Sequence, residues 1–280
     1  MKRQSGHYAL KDLEELAREK TAELSALIGR DLELQWPPRG TRKGAYRDWQ
    51  FSDWEIDCFL RAYREYSLFE LKPRIGPPSA RWPNGCPHVG FVGALMPVNP
   101  RTQDAYVHEF LDTVHETSIA RLYKQEYFIQ SSAAGELAGF YGQPRERLLL
   151  EAPLVRDVGM GIRSSGAYAM DLAVLDGPRT PRGSGTPVIG APIKVSKDDH
   201  QELIAIFKKC RGLLDRESCG SDHRNCLWIR QNLTVQYLWV RSQNESDLFK
   251  VQRAGDGGFD LDGPRPRSER DDVLSRLDWS

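Results

Sequence analysis

Asp171 is the residue whose setting most needs a chemical explanation. It stands inside the apolar run Tyr168-Ala169-Met170-Asp171-Leu172-Ala173-Val174-Leu175. A carboxylate there is costly unless it finds a partner, a cation or an exposed edge. Asp176-Gly177-Pro178 then turns the chain. A loop of Gly, Pro and Arg follows, and the next apolar run, Pro187 to Val195, presents Lys194. Two adjacent strands joined by a hairpin would set the aspartate and the lysine side by side. Phosphodiester hydrolysis uses such a pair. Carboxylates hold Mg²⁺, which activates a water and offsets charge on the phosphate oxygens. A lysine orients that water or adds positive charge beside the transition state. Plainer roles compete. Asp171 could pair with an arginine such as Arg156 or Arg163. Lys194, between Ile193 and Val195, alternates onto the opposite face from both and could simply meet solvent.

The elements that must position this pair can be read from periodicity. Leu13, Leu16, Ala17, Leu24 and Leu27 predict a helix over Leu10–Ile28, stopped by Gly29. A second helix is predicted from Trp54 to Leu68, capped by Ser52 or Asp53. Residues 73–100 are rich in Pro and Gly and read as irregular, with one strand near Gly90–Leu95. Val107, Phe110, Leu111, Val114 and Leu122 predict a long helix over Gln103–Gln125. Strands are expected at Leu148–Ala152, Tyr168–Leu175 and Pro187–Val195, then a helix from Asp198 to Cys210. Further strands are expected at Cys226–Arg230, Gln236–Arg241 and Leu248–Val251. From residue 103 the order is helix, three strands, helix, strands. The predicted fold class is therefore α/β, a central mixed sheet flanked by helices, with a mainly helical N-terminal region. The expected division is 1–102 accessory region, 103–254 core and 255–280 polar tail, with a short helix around Asp271–Leu277.

An aspartate, a hairpin, a lysine-bearing strand and a following helix together resemble the core of the PD-(D/E)XK, restriction-endonuclease-like nuclease superfamily. Its signature is an aspartate, then, after a spacer, an acid, any residue and a lysine. Here the aspartate is Asp171 and the lysine Lys194. Downstream, Phe207-Lys208-Lys209-Cys210, His223-Arg224-Asn225-Cys226 and Val235-Gln236-Tyr237-Leu238-Trp239-Val240 are similar to one branch of bacterial members. The resemblance covers about residues 103–252. It implies a nuclease that uses Mg²⁺, or Mn²⁺, on nucleic acid, DNA first, in a restriction or phage-defence setting. A homodimer is compatible with it. The acidic position two before the lysine is Pro192, which carries no ligand and lacks an N–H. Replacement acids are Glu109, Asp112 and Glu116 on the expected middle helix, Glu151 on the first core strand and Glu202 on the later helix. Asp171 and Lys194 are thus expected as catalytic, with Glu116 or Glu109 completing the metal site. Loss of the site through Pro192 gives the alternative: a catalytically inactive nuclease-fold protein that binds nucleic acid or another protein.

Other constellations carry less. His108-Glu109 and His115-Glu116 are not the zincin pattern, whose histidines lie four apart on one helix face. Cys210, Cys219, His223 and Cys226 are four residue types that hold structural Zn²⁺, at an unfamiliar spacing; Cys210 and Cys226 serve equally well as core residues. Arg39, Arg42 and Lys43 stand among Trp36, Tyr46 and Trp49, a mixture seen on nucleic-acid surfaces and also in solvated loops. Arg179 and Arg182, in the loop between the two central strands, could touch phosphates. No P-loop or dinucleotide fingerprint is present.

Composition sets the outer bounds. The 280 residues carry 39 basic and 39 acidic side chains, so no net basic charge advertises nucleic acid. No apolar run reaches membrane-spanning length, and none after His7 reads as a signal peptide. Five cysteines, an odd number in a long chain, argue against a disulfide framework and for a reducing cytoplasm.

Overall fold

The computed structural model describes residues 7–34, 52–76, 78, 80, 83–85, 87–93, 107–112, 119–122, 125–153, 168–178, 185–210, 223–255 and 257–279. It divides into two units, Met1–Gly135 and Glu136–Ser280.

The first unit holds helices α1 (Leu10–Ile28) and α2 (Asp53–Arg64) and most of α3 (Gln125–Gly139). Helix α1 ends where the sequence places its stop: Gly29 adopts a left-handed φ of 66°, which lets its N–H and that of Arg30 return to Ala26 and Ser25. Helix α2 opens at Ser52, whose hydroxyl accepts the Glu55 N–H at 3.3 Å. The strands are β1 (Glu33–Leu34), β2 (Phe69–Ile75), β3 (Pro87–Gly93), β4 (Val107–Asp112) and β5 (Ile119–Leu122). They form one sheet in the order β1-β5-β4-β3-β2, antiparallel except for β1 against β5. Phe59 of α2 stacks on Phe128 of α3 at 4.7 Å, beside buried Leu13, Leu16 and Leu24 of α1.

One sequence expectation is extended here and one corrected. Beside helices α1 and α2 the N-terminal region also holds strands β1 to β3. The helix expected over Gln103–Gln125 is instead strands β4 and β5. Val107, Phe110 and Leu111 fit a helical stripe, but so short a run does not fix its own period. Non-local pairing decided it: Leu111 lies opposite Val89, and Val107 opposite Val92. Glu109 is therefore a strand residue, set opposite Gly90. The helix that does exist, α3, begins at Gln125. Phe128, Ile129, Gln130, Ser131, Ser132, Ala133, Ala134, Glu136 and Leu137 are all buried. A helix buried all round has no polar face and leaves no amphipathic stripe to read.

The second unit is built on a six-stranded mixed sheet, β6 (Leu148–Pro153), β7 (Tyr168–Leu175), β8 (Pro187–Ala191), β9 (Tyr237–Arg241), β10 (Ser246–Arg253) and β11 (Phe259–Asp262). Its order is β11-β10-β9-β8-β7-β6. Neighbours run antiparallel except β8 and β9, which are parallel. A parallel pair needs a crossover, and helices α4 (Lys197–Cys210) and α5 (His223–Gln231) lie in it. Leu203, Ile204 and Phe207 of α4 and Cys226, Trp228 and Ile229 of α5 share one core with Leu149, Ala173, Leu238, Val240 and Phe249.

Helix α5 overturns the strand expected at Cys226–Arg230. Cys226-Leu227-Trp228-Ile229 is a short apolar run that suits either element. Arg253 secures the helical outcome, donating to the carbonyls of Ile229, Asn232 and Val235 at and beyond the helix end. Burial lowers the pKa of that guanidinium from its ordinary value. The expected polar tail also pairs: β11 adds to β10, and α6 (Arg267–Leu274) packs back on the unit. Arg270 of α6 donates to the Ser246 carbonyl at 2.9 Å. The Tyr141 hydroxyl donates to Asp271 at 2.9 Å, and burial raises the pKa of that phenol. The Gln143 amide reaches the carbonyls of Leu274 and Arg276. Among the described residues no helix is long and apolar enough to cross a membrane.

Gly190 shows how tightly the sheet and helices meet. A Cβ there would lie 2.8 Å from the Trp228 ring and 3.2 Å from the Met170 methyl. Gly190→Ala is expected to destabilise the second unit by about 1–3 kcal/mol through overpacking. Urea unfolding followed by tryptophan fluorescence would measure it, and an unchanged midpoint would refute the packing argument.

Candidate functional site

The two residues singled out by sequence lie toward the same end of the β7–β8 pair. The ladder's last pair there is Leu172↔Ala191. One step on, Pro192 stands beside Asp171 and has no N–H to donate. The next amide, Ile193 N–H, goes to the Asp171 carboxylate instead, at 2.6 Å from Oδ2. A bond to an ionised acceptor is stronger than a backbone rung. Asp171 is half-buried and Ile193 fully buried, so the carboxylate satisfies a donor that water cannot reach.

On its other side the 192–194 segment is tied to β9. Arg241 N–H donates to the Pro192 carbonyl at 3.2 Å, and Lys194 N–H donates to the Arg241 carbonyl at 2.8 Å. Lys194 is half-buried and immediately precedes the turn into α4. Asp171 and Lys194 thus lie on adjacent segments, linked through the Ile193 amide next to Pro192.

Register adds a second acid position. The pairs Leu150↔Leu172 and Ala152↔Met170 place Glu151 of β6 directly opposite Asp171. Farther along the same rung, Val240 of β9 follows Pro192 and faces Asp247 of β10. Two carboxylate positions directly opposed in an antiparallel pair repel unless something compensates them. Mg²⁺ is a hard cation held by one or two carboxylates, its remaining positions filled by water and substrate phosphate. The Glu151–Asp171 rung fits that donor chemistry.

The other predicted site residues are distributed as follows. Glu109 lies on β4 of the first unit. Glu202 is exposed on α4. Glu116, Arg39, Arg42, Lys43, Arg179 and Arg182 lie outside the described residues, as do Cys219, Arg156 and Arg163. Cys226 is buried in α5, while Cys210 ends α4 and His223 begins α5. Among the described residues no three His, Cys, Asp or Glu side chains gather as a metal-holding group.

No family model, no curated protein and no solved structure matches this chain.

Two polar pairs at this end of the sheet, one fully and one partly buried, escaped the sequence reading. Glu136 of α3 and Arg241 of β9 approach at 3.4 Å, with side chains 2 % and 5 % exposed. His200 of α4 is fully buried, its Nε2 3.0 Å from Asp247 Oδ2. Arg241 closes the apolar stretch Tyr237-Leu238-Trp239-Val240, and a charge in that setting was the available signal. Glu136 had none, since its helix was not recognised.

Asp171→Ala removes the acceptor of a buried amide and is expected to cost about 1–3 kcal/mol. Asp171→Asn keeps an acceptor oxygen and should cost less. Paired denaturation curves test this; equal stability of all three proteins would mean the Ile193 bond contributes nothing.

Proposed function

We propose that the second unit is a divalent-cation-dependent nuclease that hydrolyses phosphodiester bonds in DNA, with Asp171, Glu151 and Lys194 as its centre. One observation carries the reading: Glu151 and Asp171 share a rung of the sheet, and the segment bearing Lys194 is bonded to Asp171 on its far side. The element order supports it. A helix, three antiparallel strands, a helical crossover and a strand parallel to the third is the arrangement that the resemblance to restriction-endonuclease-like proteins implies.

In this reading Glu151 takes the part of the acid that the signature places two before the lysine. It comes from the neighbouring strand because Pro192 cannot supply it. Asp171 and Glu151 would hold Mg²⁺ or Mn²⁺, which supplies Lewis acidity toward a phosphate oxygen when bound. Asp171 is held in place by the Ile193 amide, which fixes the orientation of its carboxylate. Lys194 donates to the attacking water or to a phosphate oxygen, adding positive charge where negative charge grows. Its own amide is held by the Arg241 carbonyl and the preceding one by Asp171, which limits the reorganisation needed on reaction.

Pro192 favours a second reading, a scaffold that binds nucleic acid or protein without cleaving it. The two differ in what the acids do. In a binding module Glu151 and Asp171 have no cation to share, and a divalent ion changes nothing.

The test is incubation of purified protein with supercoiled plasmid and with single-stranded DNA, with Mg²⁺, with Mn²⁺ and with EDTA. Cleavage is expected in both metals and none in EDTA. Lys194→Ala and Glu151→Gln are expected to lower the rate by about 100-fold or more. Metal-independent binding without cleavage would select the second reading. Cleavage retained in both variants would move the centre elsewhere.

A further inference from the structure

The Glu136–Arg241 pair is almost wholly buried. Trp239, which precedes Arg241, and Ile193, which pairs beside it, are fully buried too. Burying an ion pair is weak evidence for stability, because apolar residues of similar volume often serve as well or better. Something other than stability must explain it, and the bonds of Arg241 suggest what. Its N–H and carbonyl are the two groups that hold Pro192 and Lys194. Its guanidinium reaches the carbonyls of Gln243 and Glu245 at 3.2 and 3.4 Å, in the turn between β9 and β10. Its Nε faces Glu136 on α3. The side chain therefore braces a helix and a turn, while the backbone of the same residue sets the segment that carries Lys194.

This brace acts where the ladder is weakest. Pro192 cannot donate, so between Ala191 and Val195 the β7 side holds the segment through the Asp171–Ile193 bond. Any drift of Arg241 along its strand would shift Lys194 against Asp171. A displacement of 1 Å at a catalytic group costs about 100-fold in rate.

We infer that Glu136 and Arg241 are positioning residues: the buried pair fixes Arg241 so that its backbone holds Lys194 in register with Asp171. The inference rests on the proposed cleavage centre, but its geometric half can be read without cleavage. A pair that only stabilised the fold would show its effect in the melting temperature and nowhere else.

The experiment compares the full chain with the double variant Glu136→Leu/Arg241→Met, which removes both charges at once. Three readouts are taken: thermal unfolding, plasmid-cleavage kinetics in Mg²⁺, and hydrogen–deuterium exchange of the backbone amides at 193 and 194. The expected result is an unchanged or higher melting temperature, a kcat lower by about tenfold or more with KM unchanged, and exchange at 193–194 faster by about tenfold. Wild-type exchange in the double variant overturns the inference, whether or not kcat falls. Wild-type kcat with wild-type exchange overturns it while leaving the nuclease reading intact. If the wild type itself cleaves nothing, the nuclease reading fails and exchange alone decides: faster exchange supports the brace, unchanged exchange overturns it. Should the double variant not fold, Glu136→Gln takes its place. It removes one charge at constant shape and is judged by the same exchange criterion, with Arg241→Lys expected to restore less than wild-type protection because it cannot reach both turn carbonyls.

Discussion

The bond from the Ile193 amide to the Asp171 carboxylate is the constraint on which this end of the second unit depends. A proline interrupts β8 just where the sheet would otherwise continue, and a side chain takes over the task of the missing rung. That substitution gives a partly buried carboxylate a hydrogen-bond partner inside an apolar strand. It also fixes the distance between the strand that carries the acid and the segment that carries the lysine. A backbone rung would have joined the same strands without orienting any functional group.

The consequence spreads outward along one line of the sheet. Glu151, Asp171 and Asp247 occupy the same rung on three strands, separated by Pro192 and Val240. Asp247 lies 3.0 Å from His200 and Asp171 accepts a buried amide. Glu151 stands opposite Asp171 in the register, and in the proposed function these two acids share the cation.

Legibility in the sequence followed the range of the interactions. Helix α1 was readable to the residue because its stripe and its glycine stop are local. Strands β6 to β9 were readable in place because they are mostly apolar runs, and β10 from its Leu248–Val251 centre. Asp171 and Lys194 were readable because each interrupts such a run. Strands β4 and β5 were misread, since Val107, Phe110 and Leu111 fit a helical stripe in a run too short to fix its period, and the pairing of β4 with β3 decides. Helix α5 was misread for the same reason: Trp228 fits a strand until Arg253, from β10, caps the turn behind it. The pairing of Glu151 with Asp171 could not be read, because register is a property of two strands and no single segment contains it.

The C-terminal helix has a topological meaning as well. Tyr141, Gln143 and Arg147, near the start of the second unit, bond to Asp271, Leu274, Arg276 and Leu277 near its finish. The unit's entrance and exit are stitched together. A body whose ends meet is closed in the sense that matters for cutting and rejoining a gene. Its order of elements can be rotated, with the old ends fused and new ones opened at a surface turn, while the packed sheet keeps every neighbour.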